Sequence, residues 1–283
     1  MEKDYYKLNN GIIVPKIGYG TYKSPNDEQT VDSIKYALEV GYRHLDTAAF
    51  YGNEQAVGKA VRESGLKRGD IFVTTKLWNT VRGYKETLDA FDKSLNELGL
   101  EYVDMYMIHW PVPFNFRGSW LEADLESYAA MEEMHKKGRV RCLAVSNFLK
   151  KHLEPFLSKV EIKPVVNQME VNPVFYDRET IDYCKQNDIL VECWSPLARA
   201  RHFDLPIFEE LAAKYNVTPA RICLNWEIKK GLKPLPKSLH RERIKENFDV
   251  FGFELSPEDI DKLDKVLDLK LGRVGSDPDN CPY

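Results

Sequence analysis

The sequence predicts a single (β/α)8 barrel domain over residues 1–283, an α/β fold of the TIM type, and three observations carry that expectation. Strand-length apolar runs alternate eight times with helix-period segments, at intervals of roughly 25 to 40 residues, the span of one β/α unit. No linker rich in Pro, Gly or Ser interrupts the alternation. Polar residues recur at the downstream ends of successive strands, where parallel barrels keep their chemistry.

Taken in order, Leu8–Val14 places an Asn-Gly turn between short apolar segments, the signal of an N-terminal β-hairpin that would plug one end of the sheet. A first strand is expected at Lys16–Gly20, and a helix over Asn26–Val40 turns Val31, Ile34 and Leu38 inward. Arg43–Asp46 reads as the next strand. Gly52 and Asn53 then make a turn, and Glu54 opens a helix with Val57, Ala60 and Val61 on one face. Ile71–Thr75 and Met105–Ile108 are apolar enough for strands buried on both faces, and they end on Lys76 and His109. The clearest helix is Tyr84–Leu98, with Leu88, Phe91, Leu95 and Leu98 on one stripe before Gly99. Leu121–Lys137 follows as a helix closed by Gly138. Further strands are expected at Val140–Val145, Pro164–Gln168, Ile189–Trp194 and Leu232–Leu235. Helices fall near Lys150–Ser158, Arg178–Gln186 and Pro219–Lys230, the last capped by Thr218. Ser256 opens one more, with Ile260 and Leu263 inward. The tail from Gly272 has no period, and reads either as a loop packed over a barrel end or as a disordered terminus.

Composition bounds the function. A chain of 283 residues with 43% hydrophobic content can bury a full core. A net charge of -4 argues against nucleic acid as a partner, because phosphate backbones need a basic face. No long apolar run exists, and Met1–Asp4 lacks the core of an export signal, so a soluble, cytoplasmic protein without a membrane partner is expected. Five cysteines without Cys-x-x-Cys spacing read as reduced core thiols.

Asp46, Tyr51, Lys76 and His109 come from three consecutive strand ends and would meet at one mouth. A phenol of pKa about 10 is a poor acid at neutral pH. An adjacent ammonium, Lys76, is expected to bring it closer to the working range, with Asp46 as the counter-ion that keeps Lys76 charged. Such a site can protonate a carbonyl oxygen becoming an alkoxide, which helps only if something adds to the carbon. No activated nucleophile accompanies it, so hydride from a nicotinamide completes the reaction. Each residue alone has an ordinary role, as helix cap, packed aromatic, surface cation or core histidine. Four together at strand ends favour a site.

Gly18-Tyr19-Gly20 imitates a dinucleotide fingerprint but fails at the third glycine, where Lys23 stands, and Pro25 occupies the helix entry. Pro236-Lys237-Ser238, followed by Arg241 and Arg243, suits a phosphate beside the eighth strand, or else a solvated basic face. No P-loop and no His-x-His pair are present, and no metal is expected.

Three segments together resemble a known family: Gly41–Glu54, the stretch from Met131-Glu132 through Gly138 to Val145-Ser146-Asn147-Phe148, and Leu235-Pro236-Lys237-Ser238. They are similar to the signatures of the aldo-keto reductases, and the likeness runs from about Leu8 to Leu267. The segment Pro113–Trp120 and the tail are short, as in microbial members similar to diketogluconate reductases and prostaglandin F synthase-like enzymes. The resemblance implies a (β/α)8 barrel that reduces aldehydes and ketones with NADPH. Asp46, Tyr51, Lys76 and His109 match the catalytic tetrad, with Tyr51 as proton donor and His109 orienting the carbonyl. Ser146, Asn147 and Gln168 match the residues that hold the nicotinamide carboxamide, and Trp194 the aromatic on which that ring stacks. Gly20, Thr21, Ser195, Leu197, Glu246 and Asn247 match further cofactor contacts, while Lys237, Ser238 and Arg243 match the clamp on the 2'-phosphate. The sequence departs from the pattern at Ala144 (usually glycine), at Tyr22 (often tryptophan) and at His240 (commonly threonine or serine).

The expected substrate wall is Tyr22, Phe50, Trp78 and Trp110, with Trp120 better read as packing. Few fixed charges stand among them, so small-molecule carbonyl substrates would be chosen by shape. A monomer is expected. Two other readings remain at this stage: a cofactor-binding barrel acting as a regulatory or structural subunit, and a phosphate-binding isomerase barrel.

Overall fold

The computed structural model describes residues 4–282; residues 1–3, read above as lacking an export signal, and the terminal Tyr283 of the tail lie outside the described residues. Tyr5–Lys7 (β1) and Ile13–Pro15 (β2) pair antiparallel as the expected hairpin. Eight further strands form one parallel sheet in chain order: β3 (Tyr19–Gly20), β4 (His44–Asp46), β5 (Phe72–Leu77), β6 (Val103–Ile108), β7 (Val140–Ser146), β8 (Val166–Glu170), β9 (Leu190–Trp194) and β10 (Lys233–Pro234). The two outer strands also meet, since the Gly18 and Gly20 N–H groups donate to the Pro234 and Pro236 carbonyls, each at 3.0 Å. A parallel sheet curled until its edges bond is consistent with a (β/α)8 barrel.

β5 and β6 are buried along their whole length, which is why their sequences run apolar without alternation. Phe72, Met105, Met107, Cys142, Ala144 and Val166 pack with Leu8 and Val14, so the hairpin closes the end where the strands begin. Its Asn9 side chain donates to the Pro164 and Asp188 carbonyls, both just ahead of a strand.

The helices follow the sequence closely where the period is strong. Tyr84–Leu98 is helical over the expected span (α3), and Gly99 follows in the left-handed region at φ 60°. Its buried Phe91, Leu95 and Leu98 each contribute about 1.5–3 kcal/mol by leaving water. The preceding helix Glu54–Glu63 (α2) crosses it closely at Gly58, where a Cβ would stand 1.7 Å from the Leu98 carbonyl oxygen. Helix α1 covers Glu28–Val40, two residues shorter than expected, because Asp27 caps it by accepting from Thr30 N–H. Asn26 is used elsewhere, accepting from Ala56 N–H. The expected first strand shrinks likewise to Tyr19–Gly20.

α4 (Trp120–Lys136), α5 (Lys150–Leu157) and α6 (Arg178–Gln186) follow as expected within two residues. Two helices then separate β9 from β10: α7 (Pro206–Tyr215), absent from the reading above, and α8 (Pro219–Lys229), capped by Thr218. After β10 come α9 (Arg241–Phe248), α10 (Pro257–Leu263) and a single turn, α11 (Leu269–Gly272). Of the two alternatives for the tail, packing holds through Cys281. Val274 and Gly275 N–H donate to the Glu170 carboxylate, Asp279 meets Lys151 and His152, and Cys281 is buried.

Candidate active site

A cleft of about 1070 Å³ opens over the carboxyl ends of the strands, and Asp46 and Tyr51 lie in its wall. The Lys76 amine donates to both Asp46 oxygens at 2.7 and 2.8 Å, to the Thr47 carbonyl at 2.9 Å and to the Tyr51 hydroxyl at 3.4 Å. Register explains the meeting. Asp46 closes β4, and Lys76 lies near the end of the neighbouring β5, whose Thr74 is the register partner of Asp46. The loop bearing Tyr51 is tied down by Asn53, whose amide donates to the Thr21 and Ser24 carbonyls and accepts from the Thr47 hydroxyl. A residue read from sequence as a turn thus joins the loop of Tyr22 to the loop of Tyr51.

Burial pulls the Lys76 amine down from its usual range, and the attraction of Asp46 opposes it. Asp46 is pushed up by the same burial and drawn down by Lys76. A two-oxygen contact at these distances is the geometry of a charge-assisted pair, and it opposes both shifts. The Tyr51 phenol, expected to be made more acidic by Lys76, is instead held well above its ordinary value by burial, then by Asp46 and Tyr22. His109 stays neutral, because burial and then the cations Lys76 and Arg82 press its pKa well down. Its ring lies 5.8 Å from that of Tyr51, centre to centre, and 5.2 Å from that of Trp78.

Of the substrate wall, Phe50 stacks on Trp78 with centres 3.7 Å apart, and Tyr22 tilts against Tyr51 at 5.0 Å. Trp110 lines the same cleft. Trp120 does not; it begins α4 and packs edge-on to His152. The wall is fixed by a buried ion pair that the sequence did not disclose. Arg82 meets Asp124 at 2.7 Å and donates to the Trp78 and Trp110 carbonyls. Neither member has a local motif.

The residues assigned to the cofactor divide into two groups. Gly20, Gln168, Trp194, Ser195, Leu197, Lys237, Ser238, Arg243, Glu246 and Asn247 line the cleft. Thr21, Ser146 and Asn147 stand behind that lining, as do Lys76 and His109. The Asn147 amide donates to the His109 carbonyl and accepts from the Trp194 indole at 2.8 Å, while Ser146 donates to the Gln168 carbonyl. Asn147 and Ser195 adopt positive φ, as do the consecutive Ala198, Arg199 and Ala200, a strained stretch of cleft wall without a glycine. Arg199, Phe203 and Ser276 also line the cleft and had no sequence signal, as does Thr218, read above only as a helix cap. The donor set fits a dinucleotide. Arg243 is exposed and Lys237 half-buried at one end, Trp194 offers an indole at the other, and no described group donates to the Gln168 Oε1 beside it.

A parallel sheet with paired charges, a phenol and an imidazole gathered where its strands end is the framework of an α/β oxidoreductase. The chain belongs to the Aldo/keto reductase family, whose model matches residues 16–268. It is 43% identical over 281 residues to the glyoxal reductase of Bacillus subtilis (strain 168), covering 99% of this chain and 98% of that protein. To the methylglyoxal reductase DkgA of Escherichia coli (strain K12) it is 39% identical, with 96% of each covered. A mutant of Gox0644 in crystalline complex with NADPH superposes with a TM-score of 0.90 at 35% identity, over 99% of this chain and 98% of that one.

Proposed function

We propose that this protein is an NADPH-dependent reductase of small aldehydes and ketones, a monomeric (β/α)8 barrel working in the cytoplasm, with Tyr51 as general acid. The observation that carries the reading is the chain from Asp46 through Lys76 to the Tyr51 hydroxyl, set in the cleft wall beside a neutral His109. The glyoxal and methylglyoxal reductases among the relatives make short dicarbonyls the first substrates to try.

Lys237, Ser238 and Arg243 would hold the 2'-phosphate, Trp194 the face of the nicotinamide and Gln168 its carboxamide; the bound cofactor supplies hydride to the carbonyl carbon. Phe50, Trp78 and Trp110 exclude water and hold the substrate by shape. Neutral His109 orients the carbonyl oxygen. Tyr51 gives that oxygen its proton as negative charge develops there, and Lys76 meets the charge left on the phenol. With its pKa above the ordinary phenol value, Tyr51 carries its proton through the neutral range, and its transfer draws on the negative charge developing at the carbonyl oxygen.

Loss of the reduced-cofactor absorbance on adding glyoxal or methylglyoxal tests the reading. Tight NADPH binding with no turnover on any small carbonyl would sink it.

A further inference from the structure

Beneath the cleft floor a second buried ion pair does no work in the mechanism above. Gln168, Glu192 and Lys233 are register partners in sequence across β8, β9 and β10, each buried and facing the same interior. The Lys233 amine donates to Glu192 Oε1 at 2.8 Å and also to His44 Nδ1. His44, kept neutral by burial and by Lys233 and Lys76, passes its Nε2 on to the Thr74 hydroxyl at 2.8 Å. Gln168 lies between the two ion pairs. Its amide nitrogen donates to Asp46 Oδ2 at 2.8 Å and to Glu192 Oε2 at 3.1 Å.

This placement decides which way the Gln168 amide faces. Both its N–H bonds are taken by carboxylates, and each carboxylate is held by its own buried lysine, Asp46 by Lys76 and Glu192 by Lys233. Turning the amide over would set its carbonyl oxygen against two anions in a low-dielectric interior. The oxygen is therefore left as the group without a protein donor, on a residue that lines the cleft.

We propose that Glu192 and Lys233 are positioning residues that lock the Gln168 side chain with its carbonyl oxygen toward the cleft, ready to accept from the carboxamide N–H of the nicotinamide. The inference rests on the cofactor reading given above and deepens it. Asp46 by this arrangement has two duties, charging the general-acid pair and fixing one N–H of the amide. Glu192 supplies the other anchor, and Lys233 makes a buried carboxylate tolerable there.

The test compares two ligands that share the adenosine half but differ at the nicotinamide. In Glu192→Leu/Lys233→Met, apolar side chains of similar size replace the pair, an exchange that buried ion pairs often tolerate. NADPH affinity, read by fluorescence titration, should fall about tenfold, the size of a typical coupling between contacting residues. Affinity for adenosine 2',5'-bisphosphate should not change. In a Gln168→Ala background the same double replacement should cost NADPH nothing further. Should the double variant fail to fold, Glu192→Gln keeps the volume but accepts either orientation of Gln168, and about a threefold loss confined to NADPH is expected. Equal behaviour of the two ligands, or a loss that persists without Gln168, overturns the proposal. Wild-type protein that binds no NADPH would overturn the cofactor reading itself, a separate result.

Discussion

At the inner end of the cleft, Asp46, Lys76, Gln168, Glu192 and Lys233 are all buried and each is bonded to at least one of the others. At the outer end Arg243 is exposed on a short helix, and Lys237 makes a single long contact, 3.4 Å, to the Lys23 carbonyl. Charges in the interior fix one another and change little with salt, whereas charges in water are screened and free to move. The inner end is thus arranged before any ligand arrives, whereas little within the chain holds the charges of the outer end.

The largest effect should come from the inner end. Tyr51→Phe removes the acid but not the packing, so kcat should fall by about 10²- to 10⁴-fold while NADPH affinity stays within about twofold. Stopped-flow turnover beside a binding titration measures both. A variant keeping most of its kcat would show that the proton comes from elsewhere.

At the outer end Lys237→Ala and Arg243→Ala should each weaken NADPH about tenfold and NADH hardly at all, as expected for loss of one charge-assisted phosphate contact. The NADPH loss should shrink as ionic strength rises. Equal losses for both cofactors would mean that these side chains do not meet the 2'-phosphate.

A smaller effect concerns stability. His202, next to cleft-lining Phe203, is buried against Cys223, and burial, only partly opposed by Asp204, lowers its pKa from 6.5 to about 4. The unfolded chain therefore takes up a proton below pH 6.5 that the folded chain refuses until about pH 4. Folding stability should decline as pH falls through this window, by about 3 kcal/mol from this group, and level off beneath it. Urea midpoints at pH 7 and pH 4.5 should converge in His202→Phe relative to wild type. An unchanged difference would place the acid sensitivity in other groups.

Much of the fold was legible because its signals are local. Tyr84–Leu98 shows its stripe and its stop within one window, and the strand ends at Asp46, Lys76 and His109 follow from apolar runs of limited length. The unread parts depend on neighbours distant in sequence. Asn53 is an unremarkable turn residue until Thr21, Ser24 and Thr47 surround it, and Arg82, in a loop, gains a role only when Asp124 arrives from α4. Glu192 and Lys233 lie within strands whose sequence gives no register. The acidity expected of Tyr51 failed for a related reason: the attraction of Lys76 could be anticipated from spacing, but not the depth at which the phenol is buried, which raises its pKa more than Asp46 or Tyr22 does. The strained turn at Ala198–Ala200 was hidden because its residues are ones that ordinarily avoid positive φ.

The passage of the tail over the cleft sets a rule for redesign. At Gly275 the chain runs so near the Trp194 indole that a methyl group there would sit 2.1 Å from a ring carbon. Residues before and after this crossing could be exchanged to widen or recolour the entrance. A side chain at the crossing itself would tip the indole, carrying a change made for the substrate straight into the face proposed to seat the redox partner.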